Sequence, residues 1–163
     1  MYFYAARQPI LDRSKKLFAY ELLFRDSLDN VFPDIDGDLA TSKMIEASQF
    51  HMGISEFTGN KPAFINFTLD TLERRYPTML TQEEVVVEIL ETIRPGKKLL
   101  ALCKELHEKG YTVALDDYEH QKVWLHFFPY IQILKIALLK LKKSYLVFRQ
   151  LNLILDKLGK SCS

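Results

Sequence analysis

Apolar residues recur along this chain in short runs of strand length, and most runs carry one polar side chain near the end. Tyr2 to Ile10 and Leu17 to Phe24 read as two strands. The link between them, Leu11 to Lys16, is too short for a crossover helix, so an antiparallel hairpin is expected. Asp26 to Asp38 holds Pro33, Gly37 and five aspartates, and reads as a loop. Asp38 or Thr41 can cap a helix running to about Met52, with Leu39, Met44, Ile45 and Ser48 near one face. Gly53 to Pro62 reads as a loop with weak helical content.

From there the pattern alternates. Strands are expected at Pro62–Phe67, Glu84–Leu90, Tyr111–Leu115 and Tyr130–Ile136. Thr68 is placed to cap a short helix. A longer helix is expected from about Pro95 to Lys109, with Leu99, Leu102, Cys103 and Leu106 on one stripe and Gly110 as its stop. His120 to Phe127 predicts a short helix that Pro129 ends. Leu138 to Gln150 predicts a long amphipathic helix, and Leu151 to Leu155 a last strand. A hairpin followed by a βα series with nearly continuous apolar strands is an α/β pattern, buried on both faces as parallel sheets are. An open α/β sheet and part of a (β/α)₈ barrel both satisfy it.

Polar residues interrupt those strands at similar places. Glu21 lies in Phe18-Ala19-Tyr20-Glu21-Leu22-Leu23, Asn66 in Phe64-Ile65-Asn66-Phe67, and Glu88 closes Val85-Val86-Val87-Glu88. Asp116 and Asp117 follow Val113-Ala114-Leu115, and Lys135 sits in Ile133-Leu134-Lys135-Ile136. An ionised group in an apolar strand is costly unless it is paired or bound to a metal. Each has a plain alternative: an outward edge residue for Glu21, a turn for Asn66, the start of a solvated loop for Glu88 and Glu91, a cap for Asp116-Asp117, a snorkelling stem for Lys135. Recurrence along successive strands favours a shared polar site at the carboxyl ends of a sheet, where both candidate folds place ligands. Carboxylates and an amide oxygen suit Mg²⁺ or Mn²⁺. Glu21, Asn66, Glu88 and Asp116 would form one shell, and Asp117 would bridge or bind a second ion. Two ions about 3.5–4 Å apart clamp an in-line phosphoryl displacement, which makes a phosphodiester the expected substrate. Lys135 would hold the attacking water or neutralise a phosphate oxygen.

Composition narrows the field. The chain has 163 residues, 48% of them apolar, and a formal net charge of +1, so no global field steers nucleic acid or a membrane surface. No basic run is interleaved with aromatics, so DNA binding is not expected. No apolar stretch approaches the roughly 20 residues of a membrane span. The opening Met1-Tyr2-Phe3-Tyr4 lacks the charged region of a secretory signal. Cys103 and Cys162 have no metal or disulfide spacing, which fits a cytoplasmic protein, and His51, His107, His120 and His126 form no ligand pattern.

Arg7-Gln8-Pro9-Ile10 followed by Tyr20-Glu21-Leu22-Leu23-Phe24-Arg25 resembles the opening of EAL domains, the bacterial cyclic-di-GMP phosphodiesterases. The signature reads Glu21-Leu22-Leu23 here. Ile65-Asn66-Phe67-Thr68, Glu88-Ile89-Leu90-Glu91, Asp116-Asp117-Tyr118 and Leu134-Lys135-Ile136-Ala137 resemble its later segments in the same order. The Tyr-Glu-Leu-Leu-Phe-Arg variant is similar to the EAL–HDOD (YuxH-like) branch. The resemblance implies a modified (β/α)₈ barrel and Mg²⁺- or Mn²⁺-dependent hydrolysis of cyclic-di-GMP to linear pGpG. It implies that Glu21, Asn66, Glu88 and Asp116 bind the first metal and Asp117 the second. It also implies that Lys135 contacts the catalytic water, with Glu21 essential to catalysis, and that Gln8 and Arg25 touch the nucleotide.

The chain departs from that pattern in several places. Tyr118-Glu119-His120-Gln121 stands where the family has a Gly-Thr-Gly loop, Ala137 where it has an aspartate, and Leu22 where it has a small alanine. A (β/α)₈ barrel takes about 250 residues, so a single domain over 1–163 that stops short of closure is expected. Open edges would invite a homodimer or strand exchange, or an HDOD-type or other signalling partner. The leading expectation is an EAL-like signalling domain with little or no catalysis that binds cyclic-di-GMP or a protein. The alternative is an active phosphodiesterase. A glycosidase with paired carboxylates would leave Asn66, Asp117 and Lys135 without roles.

Overall fold

Two strands, β1 (Tyr4–Leu11) and β2 (Leu17–Arg25), form the hairpin that the spacing predicts, antiparallel and in register from Tyr4 opposite Arg25 to Gln8 opposite Glu21 and beyond. The computed structural model describes residues 4–12, 14–25, 53–116, 118, 121–137 and 145–148. They belong to two compact units, residues 1–88 and 89–163. The hairpin turn is fixed by Asp12. Its Oδ1 accepts from the backbone N–H of Ser14 at 2.8 Å and of Lys16 at 2.9 Å, and Lys15 takes the left-handed φ of 60°. An aspartate that bonds the backbone ahead of it is a common turn device.

The first unit continues with helix α1 (Ile54–Thr58), strand β3 (Ala63–Phe67), helix α2 (Leu69–Glu73), a single 3₁₀ turn at Tyr76–Met79, and strand β4 (Val85–Ile89), whose last residue opens the second unit. Its strands lie in the order β1-β2-β3-β4, and β2 pairs β3 in parallel. The helix α1 occupies part of the segment read as a loop. It ends on Gly59, whose φ of 61° costs glycine nothing. Two contacts tie α1 to the strands. The Arg7 guanidinium donates to the Phe57 carbonyl while lying 4.8 Å from the Tyr20 ring centre, and Ser55 Oγ bonds Glu84 Oε1. Thr68 caps α2 as expected, its Oγ1 accepting from Thr71 N at 3.3 Å. Ala63, Phe64, Ile65 and Phe67 of β3 and all of β4 are buried, as strands covered on both faces must be.

The second unit holds helix α3 (Lys97–Glu108), strand β5 (Thr112–Leu115), 3₁₀ turns at Lys122–His126 and Phe128–Tyr130, strand β6 (Ile133–Ala137) and strand β7 (Tyr145–Phe148). Leu99, Leu102, Cys103 and Leu106 form the buried stripe of α3, and Gly110 follows at φ 87°. β5 pairs β6 in parallel, and β6 pairs β7 antiparallel. The expected helix from Leu138 to Gln150 is therefore corrected at its C-terminal part. Tyr145-Leu146-Val147-Phe148 is rich in strand formers and completes a ladder with Leu134 to Ala137. The helix expected at His120–Phe127 is a 3₁₀ turn instead. The helix expected from Asp38 to Met52 and the strand expected at Leu151–Leu155 lie outside the described residues. Among the described residues no helix is long and apolar enough to cross a membrane.

Candidate functional site

Strand register places the polar residues of the first unit. Glu21 pairs Phe64 across β2 and β3. Tyr20 N donates to Pro62 O at 3.0 Å, and Ala63 N donates to Glu84 O at 2.8 Å. Each donates to the carbonyl just before its partner, the parallel pattern. Tyr20 therefore matches Ala63, and Ala63 matches Val85. Continued in step, Phe64 stands opposite Val86, and Asn66 stands opposite Glu88. Side chains alternate along a strand and match across it, so Glu21, Asn66 and Glu88 face one side of the sheet. Glu21 lies one pleat before the other two. Gln8, half-buried, pairs Glu21 from β1.

The burial of these groups is unusual for their type. Glu88 is 0% exposed and Glu21 8%. Carboxylates are almost never fully buried without a partner. The buried oxygens Asn66 Oδ1 and Glu88 Oε2 accept no hydrogen bond among the described residues, while both side chains keep other contacts. Two carboxylates and an amide oxygen on one face are hard donors of the kind Mg²⁺ and Mn²⁺ take, so the set fits a divalent cation. Among the described residues no group of three or more His, Cys, Asp and Glu side chains gathers as a metal shell. The third donor here, Asn66, is of another type. Leu22, the larger residue beside the signature glutamate, is buried at 4% on the opposite side of β2 and does not crowd the Glu21 carboxylate.

The second unit brings together Asp116 and Lys135. Leu115 pairs Leu134, so the next residue on each strand is a neighbour. Lys135 Nζ lies 3.0 Å from Asp116 Oδ1, with the lysine 1% and the aspartate 15% exposed. Asp116 Oδ1 accepts no well-aligned hydrogen bond, so the contact is ionic by distance rather than by angle. The strand end is held by backbone bonds from Asp116 N to Ile89 O at 2.9 Å and from Tyr118 N to Lys135 O at 2.9 Å. Burial pushes the Tyr118 phenol up from its ordinary pKa. Asp117 and the Arg25 side chain lie outside the described residues. Arg94 and Trp124, which the sequence pattern did not single out, line a cleft beside Asp116. Arg94 follows β4 and Trp124 sits in the 3₁₀ turn at Lys122–His126, so the two share no linear motif.

No family profile matches the chain. It is 42% identical over 137 residues to the cyclic di-GMP phosphodiesterase CdgJ of Vibrio cholerae, a stretch covering 83% of this chain and 32% of that one. It is 39% identical over 142 residues to the uncharacterized protein YuxH of Bacillus subtilis, covering 84% and 35%. The chain thus spans about a third of the length of these relatives. Among solved structures it matches the EAL enzyme Bd1971 bound to cAMP and cyclic-di-GMP with a TM-score of 0.57 at 18% identity, over 82% of this chain and 45% of the other. The BlrP1 protein of Klebsiella pneumoniae, in complex with manganese and cyclic-di-GMP, gives 0.54 at 19% identity, over 76% and 38%. YkuI of Bacillus subtilis, with an EAL domain in complex with cyclic-di-GMP and calcium, gives 0.52 at 16% identity, over 82% and 41%.

The fold is the α/β fold of EAL domains, an incomplete TIM-like barrel. The chain's fold is that of EAL domains, and its similarity to YuxH supports the YuxH-like branch.

Proposed function

We propose that this chain is an EAL-like signalling domain that binds cyclic-di-GMP with a divalent cation and hydrolyses it poorly. The observation that carries this reading is the alignment of Glu21, Asn66 and Glu88 on one sheet face, with Asn66 opposite Glu88. These three side chains would hold the cation, Mg²⁺ or Mn²⁺. The cation, when bound, would polarise a phosphoryl oxygen or acidify a bound water. Gln8, facing the same side from β1, and Arg25 at the end of β2 would contact the nucleotide. Asp116 orients the Lys135 ammonium, which would donate to a water or a phosphate oxygen. CdgJ is named a cyclic di-GMP phosphodiesterase, and the matched structures hold cyclic-di-GMP with manganese or calcium, which supports this ligand class. The loss of the Gly-Thr-Gly loop and Ala137 in place of an aspartate support weak turnover.

The second reading, an active phosphodiesterase, is favoured by the intact acid–ammonium pair. One titration separates the two. Cyclic-di-GMP is added with and without Mg²⁺ or Mn²⁺, and both heat and pGpG are recorded. Cation-dependent binding that Glu21→Ala abolishes, with little pGpG, is the expected result. Rapid pGpG release abolished by Glu21→Ala would establish the active enzyme. Absence of binding under every cation condition would defeat both.

A further inference from the structure

Arg7 precedes Gln8 on β1, and its side chain leaves the opposite face of the strand. It is exposed, yet it is held. The guanidinium donates to the Phe57 carbonyl of α1, and it lies 4.8 Å from the Tyr20 ring centre and 5.7 Å from that of Phe57. Both distances are within reach of cation–π attraction.

The strand that carries Arg7 lacks a second neighbour. β1 comes first in the sheet order, so among the described residues only β2 pairs with it. Tyr20 N donates to Pro62 O, towards β3, so the Tyr20–Pro9 pair shares no ladder bond. Pro9, which has no N–H, thus turns its nitrogen to the outer edge, where a strand proline is tolerated. Glu21 and Asn66 stand on strands paired on both sides, whereas Gln8 reaches the polar face from a strand paired on one.

The helix α1 supplies the missing support. Its five residues are too few to hold a helix unaided. Ile54 and Thr58 are buried, Thr58 Oγ1 bonds the Lys61 carbonyl at 2.6 Å just ahead of β3, and Ser55 Oγ bonds Glu84 Oε1 just ahead of β4. Through α1, Arg7 ties the edge strand to the two strands that carry Asn66 and Glu88.

We propose that Arg7 is a positioning residue for the cyclic-di-GMP site: its clamp on α1 fixes β1 so that Gln8 meets the nucleotide, while Arg7 itself touches no ligand. The inference rests on the proposed function for the ligand, and on the Phe57 and Tyr20 contacts for the clamp.

The clamp is tested without ligand by hydrogen exchange in the full chain. The amides of Ala6 and Gln8, which face β2, should exchange about tenfold faster in Arg7→Ala. Unchanged exchange would overturn the proposal whatever the ligand does. The site is tested by titrating cyclic-di-GMP in the presence of Mn²⁺ into the wild type, Arg7→Ala, Arg7→Lys, Gln8→Ala and the double variant Arg7→Ala/Gln8→Ala. A strand that is competent a tenth of the time lowers apparent affinity about tenfold, the loss expected in Arg7→Ala. Arg7→Lys should recover little of it, because the planar fork and its stacking are lost while the charge is kept. The double variant should bind no more weakly than Gln8→Ala, since Arg7 acts through Gln8. The thermal shift produced by Mn²⁺ alone should be the same in Arg7→Ala as in the wild type. Undiminished affinity in Arg7→Ala, additive losses in the double variant, or loss of the Mn²⁺ shift would each overturn the positioning role. Faster exchange in Arg7→Ala beside a wild type that binds no cyclic-di-GMP would defeat the proposed function and the positioning role together, and leave only the clamp.

Discussion

Lys135 and Asp116 meet across two neighbouring parallel strands, Nζ to Oδ1 at 3.0 Å, with almost no solvent on the lysine. The pair follows from register: Leu115 matches Leu134, and the chain continues one residue on each side. Leu134 and Ile136 flank Lys135 in β6, and an apolar residue between them would have carried no desolvation cost. A buried pair adds little net stability over an apolar replacement, yet breaking it by removing one partner costs about 3–5 kcal/mol. Lys135→Met and Asp116→Asn should therefore each destabilise strongly in urea denaturation. The double variant should cost less than the sum of the two. If the costs add to within about 0.5 kcal/mol, the two side chains are not energetically coupled.

The fully buried carboxylate of Glu88 yields a prediction with opposite signs in two conditions. Burying a charge is costly, so Glu88→Gln should leave thermal stability unchanged or raise it when no divalent ion is present. With Mn²⁺ or Mg²⁺ in excess the wild-type chain should gain stability as ligand binding to the folded state requires, by about 2.7 kcal/mol at a hundredfold excess over Kd. Glu88→Gln should lose most of that gain. Thermal melts of both proteins with added cation and with a chelator provide the check. Equal shifts in the two proteins would remove Glu88 from the shell.

Much of this arrangement was legible in the sequence because it depends on local signals. The short link at Asp12 specified the hairpin, Thr68 announced a helix start, and Gly110 marked a helix end. The polar residues within apolar strands pointed to Glu21, Asn66, Glu88 and Lys135. Alternation along the strands put three of them on one face once the register was known, but register itself is a pairing property that no single run encodes. Other features were hidden for the same reason. Tyr145-Leu146-Val147-Phe148 has enough leucine around it to pass for an amphipathic helix, and only the ladder with β6 selects the strand. Glu91 read as a solvated loop residue, and it is exposed, but its place on a cleft wall depends on residues some 30 positions away. Leu22 stands where the family has a small alanine, and its burial on the face of β2 opposite Glu21 follows from strand alternation.

Gln132 joins three elements of the second unit. Its Oε1 accepts from Val113 N at 2.8 Å, and its Nε2 lies 2.8 Å from His107 Nδ1 at the end of α3. The His107 ring in turn packs edge-on against Tyr130 at 5.9 Å. Val113 is fully buried, so its N–H has no access to water as a substitute acceptor once the amide is removed. Gln132→Ala should cost about 1–3 kcal/mol, the penalty of an unsatisfied buried donor. His107→Ala should cost less, because that side chain is exposed and the Gln132 amide can turn to water. A ranking in which His107→Ala is the more damaging would show that the ring contact, not the bond to β5, holds α3 in place.

Cys103 lies on the buried stripe of α3, and burial pushes its thiol from the ordinary value of 9.0 up to about 12. The folded state therefore binds this proton more tightly than the unfolded state does. Below about pH 9 both states keep the proton, and the group's contribution to stability is fully present. Between pH 9 and about 12 the unfolded chain ionises first, so stability falls as pH rises. Denaturant midpoints of the wild type should decline more steeply over that interval than those of Cys103→Ala, whose other titrating groups are the same. At pH 7 the thiol should also resist alkylation in the native protein and react once the chain is unfolded, since only the thiolate is nucleophilic. Parallel pH slopes for the two proteins would mean that the thiol ionises as readily in the helix as in water, which a fully buried position on α3 does not permit.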